Sequence, residues 1–397
     1  MRGNFLPIVN AMSVQSTLKE LLPDFIALRR DFHRHAEVSH HEERTSRVIA
    51  QKLRDWGLEV HEHIGGCGVV GILKNGVGEK SIAFRADMDG LPIIEENTFS
   101  HSSINPGAMH ACGHDGHMAA LLLAARYLSE TRHFNGTVIF IFQPSEEMDG
   151  GAKDMIMDGV LERFPADYYF ACHNWPRIPE GVFGITDGAI MASSNMFEIR
   201  IQADDKDGDS SMIAVSLAQA LYGIISRQKR PIDPAVLSVC SLQSHFNDDQ
   251  GTNATLTGTV RTFSDEVTDL IENQMKTISA QYALAFDCSI NVYFERQVLP
   301  TVNTRECHEM LFQTISELYG PNCIQKQEPV MPGEDFSEFL LRRKGALFFI
   351  GAGDGAHRDA GHGPGPCELH NPSYDYNDKC LEPTAAVFAR LVERYLC

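Results

Sequence analysis

A thiol, several imidazoles and a carboxylate are packed into eight residues at His110-Ala-Cys112-Gly-His114-Asp115-Gly-His117. Soft and borderline donors at such density suit zinc or another borderline divalent ion. The segment opens an apolar run, Met118 to Ala125, that reads as a buried helix. Ligands at the mouth of a buried helix are pre-positioned, as a catalytic metal requires.

A second constellation is Gln143-Pro-Ser-Glu146-Glu147, placed directly after a strongly apolar stretch. One of two adjacent carboxylates can bind a metal while its neighbour takes a proton from water, whose pKa zinc lowers toward ~7. A solvated Glu-Glu loop is the plain alternative. The strand end, the Gly150-Gly151 turn behind it and the cluster upstream favour chemistry. His173 closes another apolar strand, Phe170-Ala-Cys172. Three further histidines compete near the C-terminus: His357 and His362 in the Gly- and Pro-rich stretch Gly351 to Pro366, and His370 just after it. Residue types alone do not choose among them.

The elements that must position these groups follow from apolar spacing. Val48, Ile49, Leu53 and Trp56 mark a helix over residues 42–56, stopped by Gly57. Cys67–Leu73, Ser81–Asp87, Thr137–Gln143 and Tyr168–His173 read as short, nearly continuous apolar strands with helical stretches between them. That alternation predicts an α/β layer whose sheet is covered on both faces. Its functional crevice is expected beyond the carboxyl ends of the strands, where Asp87, Glu146-Glu147 and His173 collect. From about residue 191 the order becomes strand, helix, two strands, helix, strand: Phe197–Ala203, Met212–Arg227, Ala235–Leu242, Ala254–Phe263, Asp265–Leu284 and Ile290–Glu295. This predicts a smaller inserted α+β domain with a four-stranded sheet. The α/β pattern resumes after Pro300 with a strand at Ala346–Ile350 and a last helix at Leu381–Leu396. The domains expected are therefore 1–190 with 301–397, which carries the catalysis, and an inserted lid at 191–300.

Composition excludes other classes. The 397 residues suffice for two domains. With 34 Lys+Arg against 53 Asp+Glu, the formal net charge of −19 argues against nucleic acid as a partner. No apolar run is long enough to span a bilayer. Ten cysteines without paired spacing fit a reducing cytoplasm.

Taken together, these motifs resemble the metal-dependent amidohydrolases that include hippurate hydrolases, N-acyl-amino-acid amidohydrolases and auxin-conjugate hydrolases. The matching pieces include Leu28-Arg-Arg-Asp-Phe-His33-Arg-His35-Ala-Glu37, Arg85-Ala-Asp87-Met-Asp89-Gly-Leu-Pro92, the cluster at 110–117 and Gln143–Glu147. Others are His173-Asn-Trp-Pro176, Gly258-Thr-Val-Arg261-Thr-Phe263, Gly333-Glu-Asp335-Phe336 and Leu369-His370-Asn-Pro372. The resemblance implies a zinc-peptidase-like catalytic domain with a smaller lid that often serves dimerisation, here giving a homodimer. It implies two divalent ions, zinc or manganese, held by Cys112 as the bridging ligand with His114, Glu147, His173 and His370. Glu146 corresponds to the general base that activates the bridging water and later protonates the leaving amine. Asp87 and Asp115 would orient ligands from behind. His33 and His35 fall in a family motif but not among its ligands and are read as structural. Asn247 and Arg261 match positions near the substrate's carboxylate, and the substrate is expected to be a small N-acyl amino acid.

The lid departs from the resemblance. Relatives carry a Gly-His segment after the first lid strand, whose histidine helps hold the scissile carbonyl oxygen. This chain reads Gln202-Ala-Asp-Asp-Lys-Asp-Gly-Asp-Ser-Ser211 there, without a histidine, and Phe246-Asn247-Asp-Asp-Gln-Gly-Thr-Asn253 nearby. Losing one oxyanion donor typically costs about 100- to 1000-fold in rate. His245 is the residue placed to substitute, and the run Asp204, Asp205, Asp207 and Asp209 reads as a solvated loop. Two readings stand beside the amidohydrolase: a dipeptidase or diaminopimelate-type deacylase on the same site, and a metal-binding relative that has lost catalysis.

Overall fold

In the computed structural model, residues 11–148, 150–203, 209–247 and 251–397 are described. The chain divides into two compact units. The first comprises the residues up to Gly188 together with 303–327 and 338–397, and the second comprises 189–302 and 328–337. Residues 328–337 thus group with the second unit, where the sequence reading ran the first domain onward from 301.

The first unit begins with α1 (Ala11–Arg34) and α2 (Glu43–Asp55), then strands β1 (Glu59–Ile64), β2 (Gly68–Asn75) and β3 (Ser81–Asp87). After a long loop come α3 (His114–Thr131), β4 (Gly136–Gln143), α4 (Gly151–Met157), α5 (Val160–Arg163), β5 (Tyr168–Pro176) and β6 (Phe183–Ile185). The chain crosses to the second unit through β7 (Gly188–Met191). That unit holds β8 (Ser194–Ala203), α6 (Ser210–Gly223), β9 (Ala235–Asn247), β10 (Gly251–Thr262), α7 (Asp265–Ala285) and β11 (Ser289–Val298). The chain returns through β12 (Thr301–Asn303) to α8 (Arg305–Tyr319), β13 (Ile324–Lys326), α9 (Ser337–Arg342), β14 (Gly345–Gly353) and α10 (Leu381–Tyr395).

An eight-stranded sheet, in the order β1-β2-β4-β3-β5-β14-β6-β13, forms the first unit's centre. Its inner strands β4, β3, β5 and β14 run parallel. Successive residues of β3, β4 and β14 are buried, so both faces of these strands are covered. Because the three strands ending in polar residues are parallel neighbours, Asp87, Glu146-Glu147 and His173 emerge at one edge. Helix α3 is buried nearly all round, which apolar residues on every face require. It packs against α1, α10 and β3.

The second unit behaves differently. Its sheet, ordered β11-β8-β10-β9, is antiparallel throughout. Buried and accessible residues alternate along β8, so one face carries a core with α6 and α7 while the other is open. Helix α6 ends at Gly223 and continues as a π-helical turn over Ile224–Gln228, which absorbs the stretch expected to be regular helix to Arg227. No helix among the described residues is long and apolar enough to cross a membrane.

Candidate metal centre

The loop before α3 turns sharply at Gly113, whose φ of +96° suits glycine. A Cβ there would come within 2.4 Å of Asn174 Oδ1. This close approach brings Cys112 and His114 against the end of β5. Cys112 Sγ lies 3.5 Å from His173 Nε2. His114 Nε2 stands 3.8 Å from Glu147 Oε1 and 4.0 Å from Glu146 Oε2. His370 Nε2 lies 3.2 Å from Glu147 Oε1. Five groups of potential metal donors occur among the described residues, each with its ligand atoms within 4.8 Å of one another: Asp87/His114/His117, His114/Glu146/Glu147, Glu146/Glu334/Asp335, and two donor sets built on the thiol, Cys112/His114/His173 and Cys112/Glu147/His370. Cys112 belongs to both.

These residues fit divalent cations on several counts. His114 Nδ1–H donates to the Asp89 carbonyl oxygen at 2.9 Å, and His173 Nδ1–H to the Asn174 carbonyl oxygen at 2.7 Å. Each ring is thereby fixed with Nε2 facing the centre. His114 Nε2 and Glu147 Oε1 are buried and make no hydrogen bond among the described residues. Burial, followed by the positive field of His117, holds His173 well below its ordinary pKa, so it is neutral as a ligand must be. Burial, and then the Glu147, Glu146 and Asp87 carboxylates, push the Cys112 thiol well up. A bound cation reverses that and makes a thiolate ligand.

His370 has a left-handed backbone, φ +62°, unusual for a non-glycine residue. Its N–H donates to the Ala111 carbonyl oxygen at 2.8 Å, which pins the C-terminal loop beside Cys112. The two competing histidines are engaged elsewhere: His357 with the Asp375 carbonyl oxygen and His362 with that of Gly363.

The residues expected to orient ligands are placed less directly. Asp87 accepts from His117 Nδ1–H at 2.6 Å and from Arg85 at 2.7 Å, and comes no closer than 3.8 Å to His114 Nε2. The residue that touches ligands from behind is Asp89. Besides its carbonyl contact with His114, its Oδ2 accepts the Glu147 N–H at 3.0 Å and the Ser39 hydroxyl at 2.6 Å. Sequence reasoning missed Asp89, and His117 and Asn174 with it. Asp89→Ala is expected to lower metal affinity by about 10- to 100-fold, measured by competition with a chelator.

Asp115 faces away from the ligands, into a buried ionic cluster. It accepts from His33 Nδ1 at 2.9 Å and approaches Arg29 at 3.4 Å, while His33 Nε2 reaches Glu95 at 3.1 Å. Arg29 also pairs with Asp375 and Asp378. His35 instead reaches the Asp31 carbonyl oxygen. Burial works to lower the His33 pKa, but the hydrogen bonds it donates to Asp115 and Glu95 outweigh it and raise the group to about 10. An unfolded histidine titrates near ~6.5, so this pairing stabilises the fold fully below that pH. The contribution is lost as pH rises through 10. The difference in melting temperature between the natural protein and His33→Gln should therefore shrink from pH 6 to pH 10.

The residues expected to contact substrate lie on the second unit. Arg261, on β10, is half-buried, and its side chain has no ion pair among the described residues. His245 is exposed on β9. Asn247 ends that strand with its side chain outside the described residues, as are Asp204, Asp205 and Asp207 of the altered segment. Asp209 caps α6, accepting the Met212 N–H.

Comparison with known proteins gives the family. A profile of "Peptidase family M20/M25/M40" matches residues 83–394. The chain belongs to the M20/M25/M40 peptidase family. Among relatives of this M20 protein, hippurate hydrolase of Campylobacter jejuni is 36% identical, over 97% of this chain and 100% of that one. IAA-amino acid hydrolase ILR1-like 6 of Arabidopsis thaliana is 33% identical, over 94% of this chain and 81% of its own length. The solved structure of Bacillus subtilis YxeP, described as a dinuclear metal-binding peptidase from the M20 family, superposes with a TM-score of 0.84 at 28% identity. That match covers 95% of this chain and 99% of YxeP. This M20 protein is a metal-dependent amidohydrolase with a small-molecule substrate.

Proposed function

We propose that this M20 enzyme hydrolyses the amide bond of an N-acyl amino acid, using two divalent ions and Glu146 as the proton carrier. The observation that carries the reading is the membership of Cys112 in both donor sets, with Glu146 beside them, 4.0 Å from His114. Bound zinc or manganese would supply Lewis acidity and make water acidic enough to attack near neutral pH. Cys112, His114, Glu147, His173 and His370 would hold the pair.

Glu146 then accepts one proton as the water oxygen adds to the acyl carbon. It returns that proton to the nitrogen as the C–N bond breaks, releasing a carboxylic acid and a free amino acid. Asp89 keeps His114 and Glu147 in place throughout. Arg261, half-buried without a carboxylate partner among the described residues, is a receptor for the substrate's carboxylate. The names of the hippurate and IAA-amino acid hydrolases support an acylated amino acid over a free peptide. We further propose that the second unit mediates a homodimer, in line with the outer edges of β9 and β11 and the open sheet face. A reducing cytoplasm suits ten free cysteines.

The test is a substrate panel with zinc or manganese added. Benzoyl- and acetyl-amino acids should be cleaved in preference to unblocked dipeptides and to N-succinyl-diaminopimelate. Preference for either of the latter would overturn the assignment.

A further inference from the structure

Glu42 is a charged residue with no exposed surface, on a loop that the reaction does not otherwise use. It stands at the N-cap of α2, yet its side chain caps no helix N–H. The carboxyl group reaches across to the end of β4 instead. There Oε1 accepts the Ser145 N–H at 2.8 Å and the Ser145 hydroxyl at 3.3 Å. The Ser145 Oγ in turn accepts the His40 N–H at 2.8 Å.

Ser145 immediately precedes Glu146 and Glu147. It is buried and adopts a left-handed backbone, φ +56°, which a serine does not choose unaided. Its carbonyl oxygen accepts the Gly151 N–H at 3.2 Å, so the turn is tied on its far side as well. One residue beyond Glu146, the Glu147 N–H is fixed by Asp89, which Ser39 holds. The segment 39–42 therefore braces the Ser145–Glu147 turn directly through Glu42 and the His40 N–H and indirectly through Ser39.

We propose that Glu42 is a positioning residue for the hydrolysis, holding Ser145 in the left-handed conformation that aims Glu146 at the reacting centre. The inference rests on Glu146 being the proton carrier. Without an acceptor, the buried Ser145 N–H is unsatisfied and its peptide turns to recover a partner. Turning that peptide redirects the Cα–Cβ bond of the next residue. A proton carrier displaced by about 1 Å loses on the order of 100-fold in rate. Burial, and then the charge of Asp89, push the Glu42 carboxyl up to about 7. A glutamine, uncharged and with the same oxygen acceptor, is consequently a fair replacement.

The experiment compares Glu42→Ala, Glu42→Asp and Glu42→Gln in the metal-loaded enzyme, with Glu146→Gln as control. Glu42→Asp keeps a carboxylate but withdraws it from Ser145, and so serves if the alanine variant does not fold. Alanine and aspartate should lower kcat by about 100-fold with KM within about 2-fold, whereas glutamine should keep most of the activity. In hydrogen exchange on the metal-free protein, the amides of 145–148 should exchange faster in Glu42→Asp while β3 and β4 stay protected. Near-normal kcat in Glu42→Asp, or a glutamine variant as impaired as the aspartate one, would overturn the proposal. If Glu146→Gln itself is fully active, the reading of Glu146 fails instead.

Discussion

Glu146→Gln is expected to lower kcat by about 1000-fold, within the range that a general acid–base group contributes. Metal content, KM and melting temperature should be close to those of the natural enzyme. Glutamine preserves the volume and one oxygen but cannot take the water's proton, nor carry it to the leaving nitrogen. The residues proposed to hold the metals are Cys112, His114, Glu147, His173 and His370, so the centre should load normally. Glu147, proposed as a ligand, offers the contrast: Glu147→Gln should lose metal as well as rate. Rate measured against metal content therefore separates the two adjacent carboxylates, which residue type alone presents as equivalent. A Glu146→Gln enzyme with undiminished kcat would remove the proton carrier from the account.

Cys112→Ala is expected to weaken metal binding by more than about 100-fold, since partners lying behind a ligand are alone worth 10- to 100-fold. Its Sγ is the atom common to both donor sets, so its loss depletes each of them. Glu147 and His370 would then be left on one side, and His114 with His173 on the other. Serine should not rescue it, because a hydroxyl does not ionise as a thiol does. Metal content after dialysis against a weak chelator checks this, and hydrolysis should fall in proportion. Retention of the full metal complement in Cys112→Ala would contradict a bridging thiolate.

Much of this centre is legible in the chain because its donors sit at ends of strongly patterned elements. The 110–117 cluster opens an apolar helix, and Glu146-Glu147 follow a continuous apolar strand, so position and chemistry are readable together. The choice of His370 over His357 and His362 is not legible from residue types and spacing, since all three lie in or just after a Gly- and Pro-rich stretch without periodicity. The resemblance selects His370, and in the structure its contacts with Ala111 and Glu147 set it apart from the other two. Asp87 and Asp89 lie two residues apart in one motif, and nothing local reveals that the second holds His114 and Glu147. Glu42 was silent for the same reason, because its partner Ser145 is over a hundred residues away. In the fold, β1 was missed because Glu59-Val-His-Glu-His-Ile64 is a polar edge strand. In α1, the interior Pro23 interrupts an otherwise readable stripe of Val14, Leu18, Phe25 and Phe32.

The most direct test of the binuclear hydrolase is a titration. Metal-free protein is given zinc or manganese in steps while bound metal and hydrolysis of an N-acyl amino acid are followed together. A binuclear enzyme shows no turnover without metal and activity that reaches its plateau at two ions per chain. Full activity at one ion per chain, or turnover that persists in the metal-free protein, would contradict it.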